Sequence, residues 1–247
     1  MKADPSAQLR LLDLQELDAQ VDHLRHQRAN PPEAAEIKEL LGRRSDVDGR
    51  LRDQRIVVDD LAAAQAKADA DVEQVKTRHT RDRQRMDSGA IANPKDLERM
   101  QHELATLERR ISVLEDEELE VMEQLEEAQS AMAELTTGLE TIDDRLGELT
   151  TARDAKVASF DAELATVSAG RDAILADLPD DLVALYEKLR AGKGGIGAAE
   201  LRARQCGGCR ITLDPAELSR IRGLAEDEVL RCEECQRILV RTAESGL

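Results

Sequence analysis

Tryptophan is absent from this chain of 247 residues, and Phe160 and Tyr186 are its only phenylalanine and tyrosine. Large aromatic rings supply much of the buried area of an ordinary globular core. A chain without them must bury its apolar surface in some other way. Long apolar runs are missing too: no stretch approaches the eighteen or so residues that a membrane span needs, and Met1 to Gln8 carry no apolar signal core. The reading is a cytoplasmic protein with no membrane association. There is no basic excess either. A formal charge of −17 disfavours sequence-blind nucleic-acid binding by the molecule as a whole, because polyphosphate affinity comes chiefly from cationic contacts. What remains is rich in Ala, Leu, Glu, Asp and Arg, with 35% of residues charged, the composition of long helices with a narrow apolar seam.

That seam is clearest from Leu97 to Leu149. Apolar residues recur there at alternating spacings of three and four: Leu97, Met100, Leu104, Leu107, Ile111 and Leu114, then Val121, Leu125, Ala128, Met132, Leu135, Leu139, Ile142, Leu146 and Leu149. Glu118 alone interrupts the series, and no proline falls inside it. A period of about 3.5 residues held over that many turns is the signature of a coiled coil.

Such a helix needs a partner, and the chain supplies one upstream. A first helix starts at Ser6 with Leu14, Leu17, Val21 and Leu24 on one stripe, and Asn30-Pro31-Pro32-Glu33 interrupts it. A second segment to about Met86 keeps a diluted seam: Ile37, Leu40, Arg44, Val47, Leu51, Gln54, Val58, Leu61, Gln65, Ala68, Val72, Val75 and His79. The reversal lies between Met86 and Asp96. Gly89 suits a left-handed helix end, and Asn93-Pro94 reads as a cap and first helical position. With Met86 opposite Asp96, facing residues sum to about 182, so Leu51 meets the neighbourhood of Ala131 and Leu14 that of Ser168. The proline pair then falls level with Thr150-Thr151, where the second arm changes register. Arms of about 80 residues correspond to roughly 120 Å of helix.

Charge is divided between the arms. A basic cluster (Lys76, Arg78, Arg81, Arg83, Arg85) sits near the tip with Lys95, and the second arm is acidic from Leu114 to Glu127. Solvated faces and cross-arm ion pairs account for most of this, each pair contributing a few tenths of a kcal/mol. The basic tip is equally readable as a binding surface.

Pro179-Asp180-Asp181 opens a short helix with Leu182, Leu185, Tyr186 and Leu189, ending in the glycine-rich stretch Gly192 to Gly195, read as a flexible hinge. Beyond it come Cys206-Gly-Gly-Cys209 and Cys232-Glu-Glu-Cys235, two C-x2-C pairs separated by 22 residues. Four thiolates in two knuckles surround one structural Zn2+ tetrahedrally and leave no open position for catalysis. A redox C-x-x-C stands alone in a thioredoxin-like unit, which neither pair resembles. Between the knuckles, Asp214-Pro215 caps a helical turn reaching Gly223. Strand-like Val229-Leu230-Arg231 and Ile238-Leu239-Val240 flank the second knuckle. No phosphate-binding glycine loop and no nucleophile elbow is present, and a two-helix hairpin has little interior for a substrate. An enzyme is not indicated.

With these residues in view, the chain resembles the bacterial C4-type zinc-ribbon proteins that carry a long N-terminal coiled-coil hairpin. The resemblance rests on Ile91-Ala-Asn-Pro-Lys-Asp-Leu at the turn, Leu114-Glu-Asp-Glu after it, Leu185-Tyr186-Glu-Lys-Leu-Arg, and both knuckles with Gln-Arg-Ile-Leu after Cys235. It implies zinc held by Cys206, Cys209, Cys232 and Cys235 and an adaptor or chaperone-like role. It further implies relatives associated with flagellar or type III export, with the alternative sigma factor 54, or with RNA. Glu233 and Gln236 stand where the family commonly has Pro or Gly.

The sequence therefore specifies a mainly α protein: a long antiparallel coiled-coil hairpin over residues 1–178 with its tip near 87–95, a short helix and hinge over 179–195, and a small C4 zinc ribbon of short β-strands over 196–247. Its expected role is a non-enzymatic interaction protein, monomeric or homodimeric, with a protein partner. The alternative is a nucleic-acid-binding regulator using Arg78, Arg81, Arg83, Arg85 and Lys95 at the tip with Arg202, Arg204, Arg210 and Arg237 in the ribbon.

Overall fold

A computed structural model describes residues 1–247. Five helices and four short strands follow in order: α1 (Pro5–Ala29), α2 (Ala34–Asp87), α3 (Pro94–Ala176), α4 (Asp180–Gly192), β1 (Ala198–Arg202), β2 (Gln205–Cys206), α5 (Pro215–Gly223), β3 (Leu230–Arg231) and β4 (Ile238–Arg241). They form two compact units, Ala35–Thr150 and Met1–Ala34 with Thr151–Leu247. The cuts fall at the proline pair and at the change of seam register.

The unit Ala35–Thr150 is a helical hairpin made by α2 and the first part of α3. Its seam is the one the spacing marks: Ile37, Leu40, Leu51, Val72, Leu104, Leu114, Leu125, Ala128, Ile142 and Leu149 are buried, and the polar seam positions Gln54, Gln65 and His79 are half-buried. At the turn, Gly89 takes φ +69° and Asn93 Oδ1 accepts from the Lys95 N–H at 3.0 Å, capping α3.

The register differs from expectation by about one helical turn. Arg78 pairs with Glu103 and Arg145 with Glu36 along one flank, whereas Lys76 pairs with Glu115 at 2.6 Å along the other. Facing residue numbers thus centre on about 186 rather than 182. The reversal takes up the first turn of α3 as well as the loop Ser88–Asn93, which displaces the pairing toward higher numbers. Ala131 still shares a hollow with Val47 and Gln54, on either side of Leu51.

Glu118, the interruption in the seam, lies against Asp69. Burial and that second carboxyl raise its pKa above the ordinary glutamate range. A carboxyl whose folded pKa is raised stabilises the fold when protonated, and that contribution is lost as pH climbs through the raised pKa.

The second unit gathers α1, the end of α3 from Thr151, α4 and the ribbon. Asp4 caps α1 by accepting from the Ser6 N–H. One core holds Ala7, Leu11 and Leu14 of α1, Leu182, Tyr186 and Leu189 of α4, and Ala198, Ile238 and Val240 of the ribbon strands. The ribbon therefore shares its core with the helices. Gly192 to Gly195 is a pinned turn: the Gly195 N–H donates to the Arg190 carbonyl at 3.0 Å, and the Gln15 amide donates to the Gly195 carbonyl at 2.9 Å.

The polar centre of this unit is Asp18, 1% exposed. Its carboxylate accepts from the Tyr186 hydroxyl at 2.6 Å and from Arg171 at 2.8 Å, with Arg190 at 3.4 Å. Arg171 also pairs with Glu187, and Arg190 with Asp22. Gln15 Oε1 accepts from the Gly197 N–H at 2.7 Å. One acidic side chain of α1 thus ties down α3 and α4, while its neighbour holds the start of the ribbon.

Two outcomes follow. Asp18→Ala should destabilise this unit by about 3 kcal/mol, because it strips two part-buried guanidinium groups and a buried hydroxyl of their shared acceptor. Fluorescence of Tyr186, the sole tyrosine, reports that unit alone and should show the earlier transition. Glu118→Gln should raise the melting temperature of the hairpin modestly at pH 7, with the gain shrinking toward pH 4, as followed by far-ultraviolet circular dichroism.

Candidate metal centre

The ribbon is built on a four-stranded sheet in the order β2-β1-β4-β3. β1 runs parallel to β4, while β2 and β3 lie antiparallel at the edges. β1 and β2 carry no obvious strand signal, since Ala198-Ala-Glu-Leu-Arg202 alternates weakly; their pairing comes from the buried faces of Ala198, Ala199 and Leu201. Asp214 caps α5 through the Glu217 N–H at 2.8 Å. A second small core, Leu201, Ile221, Leu230 and Leu239 with Cys206 and Cys232, lies beside the metal site.

The two knuckles have matching geometry. The Arg210 N–H donates to the Cys206 carbonyl at 2.7 Å, and the Gln236 N–H to the Cys232 carbonyl at 2.9 Å. Arg210 and Gln236, each directly after the second cysteine of its pair, both adopt left-handed backbone, with φ of 60° and 62°. That is where a glycine is most at ease, and here longer side chains accept the strain. Gly208 meets a different need: a Cβ there would stand 2.8 Å from Cδ of Arg237, so the first knuckle closes against that arginine only without a side chain.

All four Sγ atoms lie within 4.8 Å of one another, and none is in a disulfide. Cys206 to Cys235 is 3.9 Å and Cys209 to Cys232 is 3.8 Å. Four sulfurs about 2.3 Å from a tetrahedral zinc ion are about 3.8 Å apart. The donor set and its spacing therefore fit a structural Zn2+.

Without metal, burial raises the Cys206 pKa and pushes Cys232 up to about 12. Burial acts the same way on Cys235, but the Arg237 backbone and side chain and the Cys232 and Cys209 thiols outweigh it and bring it down to about 7. Backbone N–H groups of Gly208 and Cys209 face Cys206, and those of Glu234 and Cys235 face Cys232. They support the thiolate form that a metal requires.

The other candidate residues are placed differently. Near the tip, Arg78 is paired with Glu103 and Asp82, Arg81 with Asp82, and Arg83 with Asp87, while the side chains of Arg85 and Lys95 have no partner. In the ribbon, Arg202 pairs with Glu244 at 2.7 Å and Arg204 donates to the Gly246 carbonyl. Arg237 donates to the carbonyls of Ile196 and Lys193. Only Arg210 of this ribbon set has a side chain free for a ligand. His79 meets Glu108 at 3.3 Å, and no second metal cluster forms around it. Sequence reasoning missed Asp18, although it occupies a seam step between Leu14 and Val21. Arg241, legible only as one more ribbon cation, satisfies carbonyls of Leu224, Ala225 and Glu228.

Replacing Cys232 with Ser should abolish tight zinc retention, measured by metal analysis after gel filtration, while most of the hairpin's helical dichroism survives. Because buried thiols must deprotonate to bind, zinc uptake should release protons and its apparent affinity should rise with pH, as calorimetry in buffers of different ionisation enthalpy will read.

Comparison with known proteins divides the chain between its helices and its ribbon. Residues 14–194 match the CT398-like coiled coil hairpin domain, and residues 205–239 match the C4-type zinc ribbon domain. An uncharacterized protein of Mycobacterium tuberculosis is 36% identical over 98% of both chains. A solved structure from Mycobacterium smegmatis is 39% identical, with a TM-score of 0.82 over 98% of this chain and 100% of that one. The 2.12 Å structure of CT398 from Chlamydia trachomatis is 16% identical, with a TM-score of 0.65 over 96% of this chain and 98% of that one, and shares the fold. The hairpin model takes in most of the chain and the ribbon model spans the four converging thiols, and the chain belongs to the CT398-like coiled-coil hairpin family with a C-terminal C4 zinc ribbon.

Proposed function

We propose that this protein is a non-enzymatic, zinc-stabilised adaptor in which Cys206, Cys209, Cys232 and Cys235 hold one structural zinc ion and the hairpin offers a surface to a protein partner. The observation that carries this reading is what the hairpin leaves outside its seam. Its arms already satisfy each other, yet Ile56 and Leu119 remain 60% and 61% exposed, with Val57 and Met122 partly so. Exposed apolar area marks an interaction site where it gathers into a patch, and Val57 lines a hollow with Val47, Ala131, Leu135 and Gly138. A closed tetrathiolate site supports structure rather than turnover, and neither matching domain describes an enzyme. No helix is long and apolar enough to cross a membrane. The family resemblance implies a partner among export or transcription components.

The second reading, nucleic-acid binding, draws on Arg210, whose side chain is free beside the 45% exposed Ile211, and on the unpaired Arg85 and Lys95. Most other ribbon arginines are engaged by carbonyls or carboxylates, which weakens it. Affinity capture of the full-length, zinc-loaded protein, with and without nuclease, separates the two. The adaptor reading expects a protein partner that survives nuclease and is lost from a Val57→Asp, Leu119→Asp double variant. Recovery of RNA alone, weakened by Arg210→Ala, would replace it.

A further inference from the structure

Long side chains bridge the arms along most of the hairpin: Lys76 reaches Glu115, Arg44 reaches Asp143 and Arg145 reaches Glu36. Between Val47 and Leu61 no ion pair crosses the arms, and a groove opens. Two adjoining hollows of ≈490 and ≈520 Å3 share Gln54 and Val57. Their floor is Val47, Leu135, Leu61 and Ala128, with Ala131 and Gly138 offering almost no side chain. Val57 stands 44% exposed at the centre. The groove follows roughly four helical turns, about 21 Å.

Its rims carry charge of one sign. Asp53 and Asp60 line the α2 side, and Glu127 and Glu134 line the α3 side. None of the four has an ion-pair or side-chain hydrogen-bond partner within the chain. Arg50 is the one cation along the groove. Where the arms are bridged, Asp143, Glu36, Glu115 and Glu103 each meet a cation of the other arm. Here, where the arms expose apolar floor, the acids are left facing outward on both sides of it.

We infer that this groove is a docking site for an amphipathic helix of a protein partner, one that lays a narrow apolar stripe on Val57, Ala131 and Gly138 and aligns lysines or arginines against both acidic rims. The inference deepens the adaptor reading and rests on it. Helix-in-groove recognition needs an apolar track and flanking complementarity, and both are here on one face. The missing side chains at Ala131 and Gly138 allow a third helix to approach closely. Four unpaired carboxylates select a cationic partner, and they repel nucleic acid, whose phosphates carry the same sign.

The test uses full-length, zinc-loaded protein and three synthetic helical peptides: a Leu/Ala stripe flanked by lysines, the same composition with the stripe scrambled, and the stripe flanked by glutamates. Asp53→Lys/Glu134→Lys reverses one charge on each rim, and Glu39→Lys/Glu98→Lys, one exposed residue on each arm outside both hollows, makes the same change in net charge away from the groove. The lysine-flanked stripe should bind in fluorescence anisotropy. Reversing the rims, a change of several exposed ion pairs, should weaken it by about tenfold, with a much smaller effect from the distant pair. Equal loss in both variants, equal binding of the scrambled peptide, or preference for the glutamate peptide overturns the groove. If the protein instead self-associates and the rim variant alone abolishes this in sedimentation, the occupant is a second copy and the inference is wrong. Capture of a cellular partner unaffected by Asp53→Lys/Glu134→Lys rejects the groove but leaves the adaptor reading standing, whereas absence of any partner rejects the adaptor itself.

Discussion

A chain with almost no aromatic rings has to bury its apolar area along a line rather than in a ball. Everything else about this protein depends on that constraint. The line is the 3-4 seam shared by α2 and α3, in which each buried leucine or isoleucine contributes on the order of 1.5–3 kcal/mol and no single layer dominates. A linear core tolerates polar dilution, and Gln54 shows how: its amide donates to the Ala128 carbonyl at 3.0 Å, so a half-buried polar side chain is satisfied rather than orphaned. The same geometry leaves most of each helix in solvent, which is why so many charged residues are compatible with folding.

The second unit solves a harder problem. It must join three helix segments to a sheet too small to have a core of its own. Two devices act together. Apolar side chains of α1 and α4 extend the sheet's inner face, so that Ile238 and Val240 are covered by Leu11, Leu14, Leu182 and Tyr186. The four thiols close the opposite side, where only a handful of aliphatic residues remain. Asp18 adds orientation. A buried carboxylate with three donors fixes how α3 and α4 meet α1, at an electrostatic cost that only a complete set of donors offsets.

The hairpin and the metal site were legible because they obey short-range rules. Spacing alone marked the seam positions, Asn93-Pro94 marked the start of α3, and two C-x2-C pairs marked the thiol cluster. Two things were not legible. Register within the hairpin depends on how many residues the reversal consumes, and nothing between Met86 and Asp96 distinguishes a tight turn from one that absorbs the first turn of α3. The merger of the ribbon with the helices depends on contacts between residues nearly the whole chain apart, such as Gln15 with Gly197 and Ala3 with Asp227. A run of glycines between them reads locally as slack, whereas its carbonyls and N–H groups are held by Gln15, Arg190 and Arg237.

That pairing of the first residues with the last has a consequence for how the protein is made. On the ribosome, α1 emerges with Leu11, Leu14 and Asp18 long before α4, β1 and β4 exist to cover them. The intervening hairpin is a compact unit of its own and can close as soon as Thr150 is out, in keeping with units folding in order of synthesis. The amino-terminal helix must wait. Its sticky stripe stays open until the final strand is translated, so the two ends of the chain are the last parts to meet, and a chain cut short before β4 leaves that stripe uncovered.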